Sequence, residues 1–544
     1  MTEQSTSPTW RLLEAGVLRD GDRPAVTFAA SGTWTRRSLL ELAQRVGDGL
    51  QNLGVSEGDR VAVMLGNRVE LVATWLACLR IGAIFVPLNT GMRGPILEHM
   101  LRVAGPVVLI DEPSVRSTAR AALDKAVPSA RPIHVDPDGD ESIADFAVGW
   151  EQLSAQPTGC ARPVPHEAGR AAYILFTSGT TGPSKGVAWA EETALALTAG
   201  ADRVAEYGEA DIGYVSLPLF HANGLFVSLL PALVAGAHTF VDERFSLSSF
   251  WTRVRETEAT VTSLLGIMEP LLLSQQPSTR DRDHQLRRAL LVPAPRDRTV
   301  FHDRFGAEVR TFYALTDVGM PIAGVSRDGS DAMPAGSCGR ALPEWECAVV
   351  DQHDTPVAPG IAGQLVVRPH RPWTTALEYW QDADATVRAW RNLWLHTGDL
   401  MTVDEAGWFY FKDRAKDAIR RSGENVSSYE VESVLAMHPD VAESAVYGVA
   451  SDLAEDEVMA CVVLRATSRV TAQELAAHCR EQLPYFAVPR YIELSASLPR
   501  TESQKIRKDL LRNSGVTDTT HDMGRTTRDM VKVSADTDAR ASAS

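Results

Sequence analysis

Thr177-Ser178-Gly179-Thr180-Thr181-Gly182-Pro183-Ser184-Lys185-Gly186-Val187 follows directly on the apolar run Tyr173-Ile174-Leu175-Phe176. Such a run reads as a buried strand, and open α/β sheets hold their ligands just beyond the carboxyl ends of their strands. Five of the eleven residues are Ser or Thr, three are Gly and one is Lys. Glycines let backbone N–H groups approach a ligand closely, hydroxyls add donors and the Lys adds charge, which together make a polyphosphate cradle. A flexible Gly/Ser linker is the alternative, but it would not grow out of a continuous apolar strand. Gly186 follows Lys185 where a Walker A loop would need Ser or Thr, so this is a different nucleotide loop.

Upstream, the text alternates from Gly58 onward: strand Val61–Leu65, helix Arg68–Ile81, strand Ala83–Leu88, a helix around Pro95–Val103, strand Val107–Asp111. That rhythm implies parallel strands joined by helical crossovers. Residues 112–168 are richer in Pro, Asp and Ser and read as a helix plus a long surface connection. After the loop the alternation resumes with strand Gly213–Leu217, a helix from about Asn223, strand His238–Val241, helix Leu247–Glu256 and strand Thr260–Leu265. Strands Ala289–Val292 and Val309–Tyr313 complete a second α/β unit. The apolar stretch Leu225–Val241 is broken by Pro231, Gly236 and His238, and reads as a buried helix followed by a strand rather than a membrane span.

The expected fold is therefore α/β: a large N-terminal domain over 1–413, made of two layered α/β subdomains plus a small β subdomain over about 335–412 with strands Cys347–Asp351 and Gly363–Arg368. A smaller, mobile α+β domain over 414–512 follows, with helix Ser428–Met437, strands Ala442–Val449 and Val458–Leu464, and helix Ala472–Leu483. The Thr-, Asp- and Ser-rich residues 513–544 are expected to be disordered.

The 544 residues amount to three or four domain-sized units at roughly 150 each, and an apolar content of 44 % is ample for large cores. A formal charge of −16 without a dense basic block argues against a nucleic-acid or anionic-membrane binder, so an anionic ligand must be held locally. Six scattered cysteines with no Cys-x-x-Cys pair fit a reducing, cytoplasmic setting rather than a disulfide framework or zinc site. The polar N-terminus lacks a signal-peptide layout.

Further segments accompany the loop in order: Pro218-Leu219-Phe220-His221-Ala222-Asn223-Gly224, Tyr313-Ala314-Leu315-Thr316-Asp317, His396-Thr397-Gly398-Asp399-Leu400, Asp413-Arg414-Ala415-Lys416-Asp417, Ser422-Gly423-Glu424-Asn425-Val426 and Pro499-Arg500-Thr501-Glu502-Ser503-Gln504-Lys505-Ile506. Each alone is weak: Thr-Gly-Asp is a common turn, and a charged run is usually a solvated face. As an ordered set over about residues 10–512 they resemble the acyl-adenylate-forming enzymes, the AMP-dependent synthetases and ligases that include acyl-CoA synthetases, aryl-CoA ligases and luciferases. Within that family the chain looks most like the carnitine/crotonobetaine-type acyl-CoA ligases.

The resemblance implies that Thr177, Ser178, Gly179, Thr180, Thr181, Gly182 and Lys185 hold the ATP phosphates. Tyr313, Ala314 and Leu315 would form the adenine wall, Thr316 would meet the α-phosphate and Asp317 would carry Mg2+. Asp399 and Arg414 would take the ribose, a carboxylate being well suited to two hydroxyls. Lys505 would be the catalytic cation, Lys416 the hinge, and Gly423, Glu424 and Asn425 the acceptor or thiol tunnel. His221, Asn223, Gly224 and Ala314 would shape the acyl pocket, His221 being either the gate beside the carboxylate or a satisfied histidine at a helix start.

The implied reaction is ATP-dependent activation of a carboxylic acid with release of pyrophosphate, then transfer to CoA. An amine, a carrier-protein thiol or a nitrite-type nitrogen nucleophile stays open as acceptor, as do a non-catalytic nucleotide binder and a homodimer. The chain departs from the family pattern at Ser184, where Pro is common, at Ala314 for Gly, at Asp317 for Glu, at Gln504 for Gly, and in Val292-Pro293-Ala294-Pro295, which replaces a Gly-rich segment.

Overall fold

The computed structural model describes residues 7–135, 148–156, 163–177, 183–265, 268–292, 294–295, 297–324, 333–414, 418–421, 423–451, 455–465, 468–500 and 506–524. Two large sheets organise the N-terminal domain. One runs in the order Glu378–Tyr379, Lys185–Ala190, Ala171–Thr177, Ile84–Pro87, Arg60–Met64, Val108–Asp111, Arg131–His134, Val148–Gly149. Its strands are parallel from Ala171–Thr177 outward, while Lys185–Ala190 and Glu378–Tyr379 run antiparallel on the other side. The second sheet is parallel through Glu308–Arg310, Arg288–Val292, Val261–Leu265, Ile212–Val215, His238–Val241 and Pro24–Phe28, and closes with the antiparallel Gly32–Thr35.

The helix Val69–Ile81 is apolar on almost every side, which suits a helix buried between layers rather than on a surface. A continuous core passes through both sheets, and Phe226 lies edge-on to Trp75 at 5.9 Å and to Tyr173 at 5.1 Å within it. The strands Trp345–Val350, Gly363–Pro369, Leu395–Val403 and Phe409–Arg414 form the small antiparallel sheet expected after residue 335. The smaller C-terminal domain adds the hairpin Ala418–Arg421/Glu424–Ser427 and a sheet of Val441–Ala450, Asp456–Leu464, Tyr491–Ser495 and His521–Asp522, covered by helices Ser428–Ala436 and Ala472–Gln482. No helix among the described residues is long and apolar enough to cross a membrane.

Four expectations change. The stretch Val309–Tyr313 is two strands in two sheets. Glu308–Arg310 stays in the seven-stranded sheet, whereas Phe312–Leu315 pairs with Gly319–Ala323. The switch falls at buried Thr311, whose hydroxyl donates to the Leu291 carbonyl at 2.7 Å and ties the outgoing chain to the sheet it leaves. In the supposed surface connection 112–168, Arg131–His134 and Val148–Gly149 extend the first sheet. Both are short, Val148–Gly149 forms the sheet edge and Arg131–His134 carries Pro132, so they lack the apolar run of a central strand.

The helix from Asn223 begins as a π-helix, Asn223–Leu229, and becomes α-helical over Leu230–Ala235. The region after residue 513 is not wholly loose: His521–Asp522 pairs with Tyr491 and Ile492, and Arg490 holds Asp522 through two hydrogen bonds of 3.1 and 3.2 Å. Residues 525–544 lie outside the described residues.

Candidate active site

A cavity of about 250 Å3 opens where the strands Ala171–Thr177 and Val261–Leu265 end, the position that a doubly wound sheet offers a ligand. Thr177 ends its strand opposite Lys185 and lines the cavity together with Ser184. Ser178, Gly179, Thr180, Thr181 and Gly182 lie outside the described residues. The Lys185 ammonium stands 4.5 Å from the centre of the Tyr379 ring, a cation–π contact. Burial, followed by the charge of Asp317 and its hydrogen bond to the Tyr379 hydroxyl, raises the Tyr379 pKa well above its ordinary value. Tyr379 thus joins Lys185 to the Asp317 carboxylate. Sequence reading missed it, because a two-residue strand in a polar stretch has no periodicity to betray it.

Ala314, Leu315 and Thr316 line the same cavity, and the Thr316 carbonyl accepts from the Trp189 indole N–H at 2.8 Å. The Tyr313 hydroxyl donates to Asp399 Oδ2 at 2.7 Å, with the two residues 7 % and 3 % exposed. Asp399 sits opposite Arg414 in the strand register, so three segments far apart in the chain meet at one place. The Arg414 side chain, Lys416 and Lys505 lie outside the described residues. Among the described residues no group of three or more His, Cys, Asp or Glu side chains could cage a metal. A lone carboxylate such as Asp317 still fits Mg2+, which takes one or two carboxylates alongside substrate phosphates and waters.

His221, Asn223 and Gly224 form the wall at the start of the π-helix. A Cβ on Gly224 would stand 2.2 Å from the Pro218 carbonyl oxygen, so the tight turn into this helix requires glycine. From the opposite side the C-terminal hairpin brings Gly423, Glu424 and Asn425 against the cavity. His221 Nε2–H donates to Glu424 Oε1 at 2.8 Å, and Asn89 Nδ2 donates to the same oxygen at 2.9 Å. The His221 side chain keeps 41 % of its surface accessible and lines the cavity. Burial pulls the His221 pKa down, but the Glu424 charge and hydrogen bond outweigh it, with Arg420 opposing, and the net value lies above 6.5. The Asn425 side-chain oxygen is buried with no hydrogen-bond partner among the described residues.

A second interdomain link went unnoticed in the sequence. The Ser184 backbone N–H donates to Glu430 Oε1 at 2.8 Å, and its hydroxyl donates to the same oxygen. Burial raises the Glu430 pKa while the Ser184 hydrogen bonds lower it, leaving it above 4.5. Glu430 reads in sequence as an ordinary first-turn helix acid behind the Ser427 cap, so no signal marked it. Asn89 was more legible, since it closely follows the parallel strand Ile84–Pro87 at its carboxyl end. Ile96 and Met100 share an apolar cluster with Val426 and Phe486, so the C-terminal domain is docked with its hairpin in the cavity.

Comparison with known proteins places this geometry. The model of the AMP-binding enzyme family matches residues 13–380, and that of the AMP-binding enzyme C-terminal domain matches 430–505. A crotonobetaine/carnitine–CoA ligase of Escherichia fergusonii is 31 % identical over 501 residues, covering 89 % of this chain and 94 % of that protein. Among solved structures, the amide bond synthetase McbA from Marinactinospora thermotolerans superposes with a TM-score of 0.80 at 26 % identity, over 93 % of this chain and 99 % of that one. ATP-bound MatB from Rhodopseudomonas palustris superposes with a TM-score of 0.68, also at 26 % identity, over 94 % and 99 %. The two family matches, in order and over most of the length, and the ligase likeness along it make the chain a member of the AMP-binding enzymes, an AMP-forming acid ligase of the acyl-adenylate-forming superfamily.

Proposed function

We propose that this enzyme activates a carboxylic acid as its acyl-adenylate and then passes the acyl group to the thiol of CoA. The observation that carries the reading is the shared cavity: Ala314, Leu315 and Thr316 line it from the N-terminal domain, and Gly423, Glu424 and Asn425 from the C-terminal domain. In the first step a carboxylate oxygen attacks the α-phosphorus, the bond to the β-phosphate breaks and pyrophosphate leaves. Two anions meet in that step, so charge must be neutralised in place. The residues assigned to this are Thr177–Gly182 and Lys185 on the phosphates, Thr316 on the α-phosphate and Lys505 between carboxylate and phosphate. Bound Mg2+ would add positive charge on the phosphates, held by Asp317. Tyr313, Asp399 and Arg414 take the nucleoside.

In the second step the acceptor attacks the carbonyl carbon, the acyl C–O bond breaks and AMP leaves. The docked hairpin suits this step, with Gly423 beside the acceptor path and Lys505 withdrawn by rotation of the 414–512 domain about Lys416. A nitrogen nucleophile is the second reading. It is favoured by the unpartnered Asn425 oxygen and the Glu424 and Glu430 carboxylates at that end, which are hydrogen-bond acceptors suited to an N–H group.

The deciding experiment combines two readouts. Acid-dependent ATP–pyrophosphate exchange reports the first step, and Lys505→Ala should reduce it about 100- to 1,000-fold, the usual loss of one transition-state charge partner. An unimpaired exchange rate would remove Lys505 from the mechanism. Product identification with ATP, Mg2+ and an acid panel, in the presence of CoA or of an amine, assigns the acceptor: a thioester supports the first reading and an amide the second.

A further inference from the structure

The cavity is chemically lopsided. Among its described lining residues the formally charged ones are Arg420, Glu424 and Glu430, and all three belong to the C-terminal domain. The N-terminal domain contributes Trp189, Leu197, Val227, Phe312 and Ala314 to the same lining, and none of its described lining residues is Asp, Glu, Lys or Arg. Four of these five side chains are nearly fully buried, so the wall is fixed by the core and offers little room to bring a distant charge closer.

Beyond Asn89, Thr177, Ser184, His221 and Thr316, the N-terminal domain gives the cavity one more polar side chain among the described residues. Asn223 lies in the first turn of the π-helix, an irregularity that is frequent at functional sites. Its Oδ1 accepts from the Ser263 hydroxyl at 3.1 Å, which sets the orientation of the amide. Its Nδ2 then makes no hydrogen bond to any described residue, and Asn223 lines the cavity. The amide is thus pre-oriented as a donor towards a bound molecule.

These features select among acids. A quaternary ammonium placed behind His221 would leave water with no carboxylate to meet it, at a steep desolvation cost. Aromatic faces can hold such a cation. Trp189, however, is packed against Phe226 at 5.8 Å and bonded through its N–H to Thr316, and it is committed to the core. We propose that the acid activated here is uncharged apart from its carboxylate, apolar in its body, and bears a hydrogen-bond acceptor that the Asn223 amide meets. This deepens the adenylation reading and rests on it.

ATP–pyrophosphate exchange needs no acceptor and tests the inference directly. The first pair is crotonobetaine and its carbon isostere 5,5-dimethylhex-2-enoate, which differ only in the positive charge. The neutral acid should be preferred at least about tenfold in kcat/KM; equal use, or preference for the cation, overturns the inference. The second comparison sets the three methoxybenzoates against the ethylbenzoates that match them in shape. At least one methoxy isomer should win by about tenfold or more, as expected where a buried amide would otherwise lose its partner. Asn223→Leu should abolish that preference, the methoxy isomer losing about tenfold or more relative to its ethyl partner measured in the same variant.

Should the Leu variant fail to fold, Asn223→Asp keeps the shape and replaces the donor by a carboxylate, and it should reverse the preference. A preference that survives both substitutions, or no preference in the wild type, overturns the assignment of Asn223. Exchange with these acids but without the stated discrimination would leave adenylation standing and this inference fallen. Exchange with none of a broad set of straight-chain, branched and aryl acids would overturn both.

Discussion

His221 on the N-terminal wall and Glu424 on the C-terminal hairpin, 203 residues apart in the chain, share a hydrogen bond of 2.8 Å across the cavity. The bond exists only while the two domains are docked in this orientation, so it links the protonation of one side chain to the position of a whole domain.

The His221 pKa is raised, so its contribution to docking is fully present below the ordinary value of 6.5 and is lost as pH rises through the raised value. A fluorophore pair spanning the two domains should therefore report weaker docking as pH climbs above 6.5. Glu424→Gln should flatten that response and slow acyl transfer by about tenfold, the worth of one charge-assisted hydrogen bond, with pyrophosphate exchange within about twofold of wild type. Equal losses in both steps would show that the pair serves the site as a whole.

Glu430 is a carboxyl whose pKa is raised in the docked state, so its share of docking is present below 4.5 and lost as pH rises through the raised value. Glu430→Gln keeps the shape while removing the charge that burial disfavours, and docking should become insensitive to pH on the acid side. Ser184→Ala removes one donor and should loosen docking by about 1 kcal/mol, read as a change in the domain-distance distribution.

Gly423 has φ +79°, and a Cβ there would lie 2.4 Å from Leu265 Cδ1. Gly423→Ala should cost about 1–2 kcal/mol in backbone strain plus the clash, and should slow acyl transfer tenfold or more while exchange persists. Adding Leu265→Ala should recover the part due to the clash and leave the backbone part. Full recovery would mean that the backbone angle is unimportant, and no recovery that the contact is.

Tyr313→Phe takes one donor from a carboxylate that is 3 % exposed. Hydrogen bonds to charged groups are worth about 1.5–3 kcal/mol, so KM for ATP should rise about tenfold or more with a smaller change in kcat. A variant with unchanged KM for ATP would separate Asp399 from the nucleoside.

Much of the site was legible because its parts are short, local and chemically dense. The alternation of apolar runs and helical patterns around residues 58–111 announced a parallel sheet, and the apolar run before the Gly- and hydroxyl-rich loop announced a strand that does end at the cavity. Thr177, Ser184, His221, Asn223, Ala314, Thr316 and Gly423–Asn425 do gather around one cavity. The partners that hold them were illegible: Tyr379, Glu430 and the Trp189 indole act through contacts across 62 to 246 residues in sequence, and none has a local pattern.

The misread elements follow the same rule. The switch of sheets at Thr311, the short strand Arg131–His134 and the π-helical turn at Asn223 each depend on what the segment packs against. Local chemistry along the chain was enough to determine the two-domain α/β architecture and the order of the motifs, because periodicity and loop composition are properties of neighbouring residues. Only the tertiary structure decided which side of the cavity is charged, how Asn223 is oriented and which carboxylates hold the domains together. Those depend on distances between residues that the chain itself keeps from 40 to 246 positions apart.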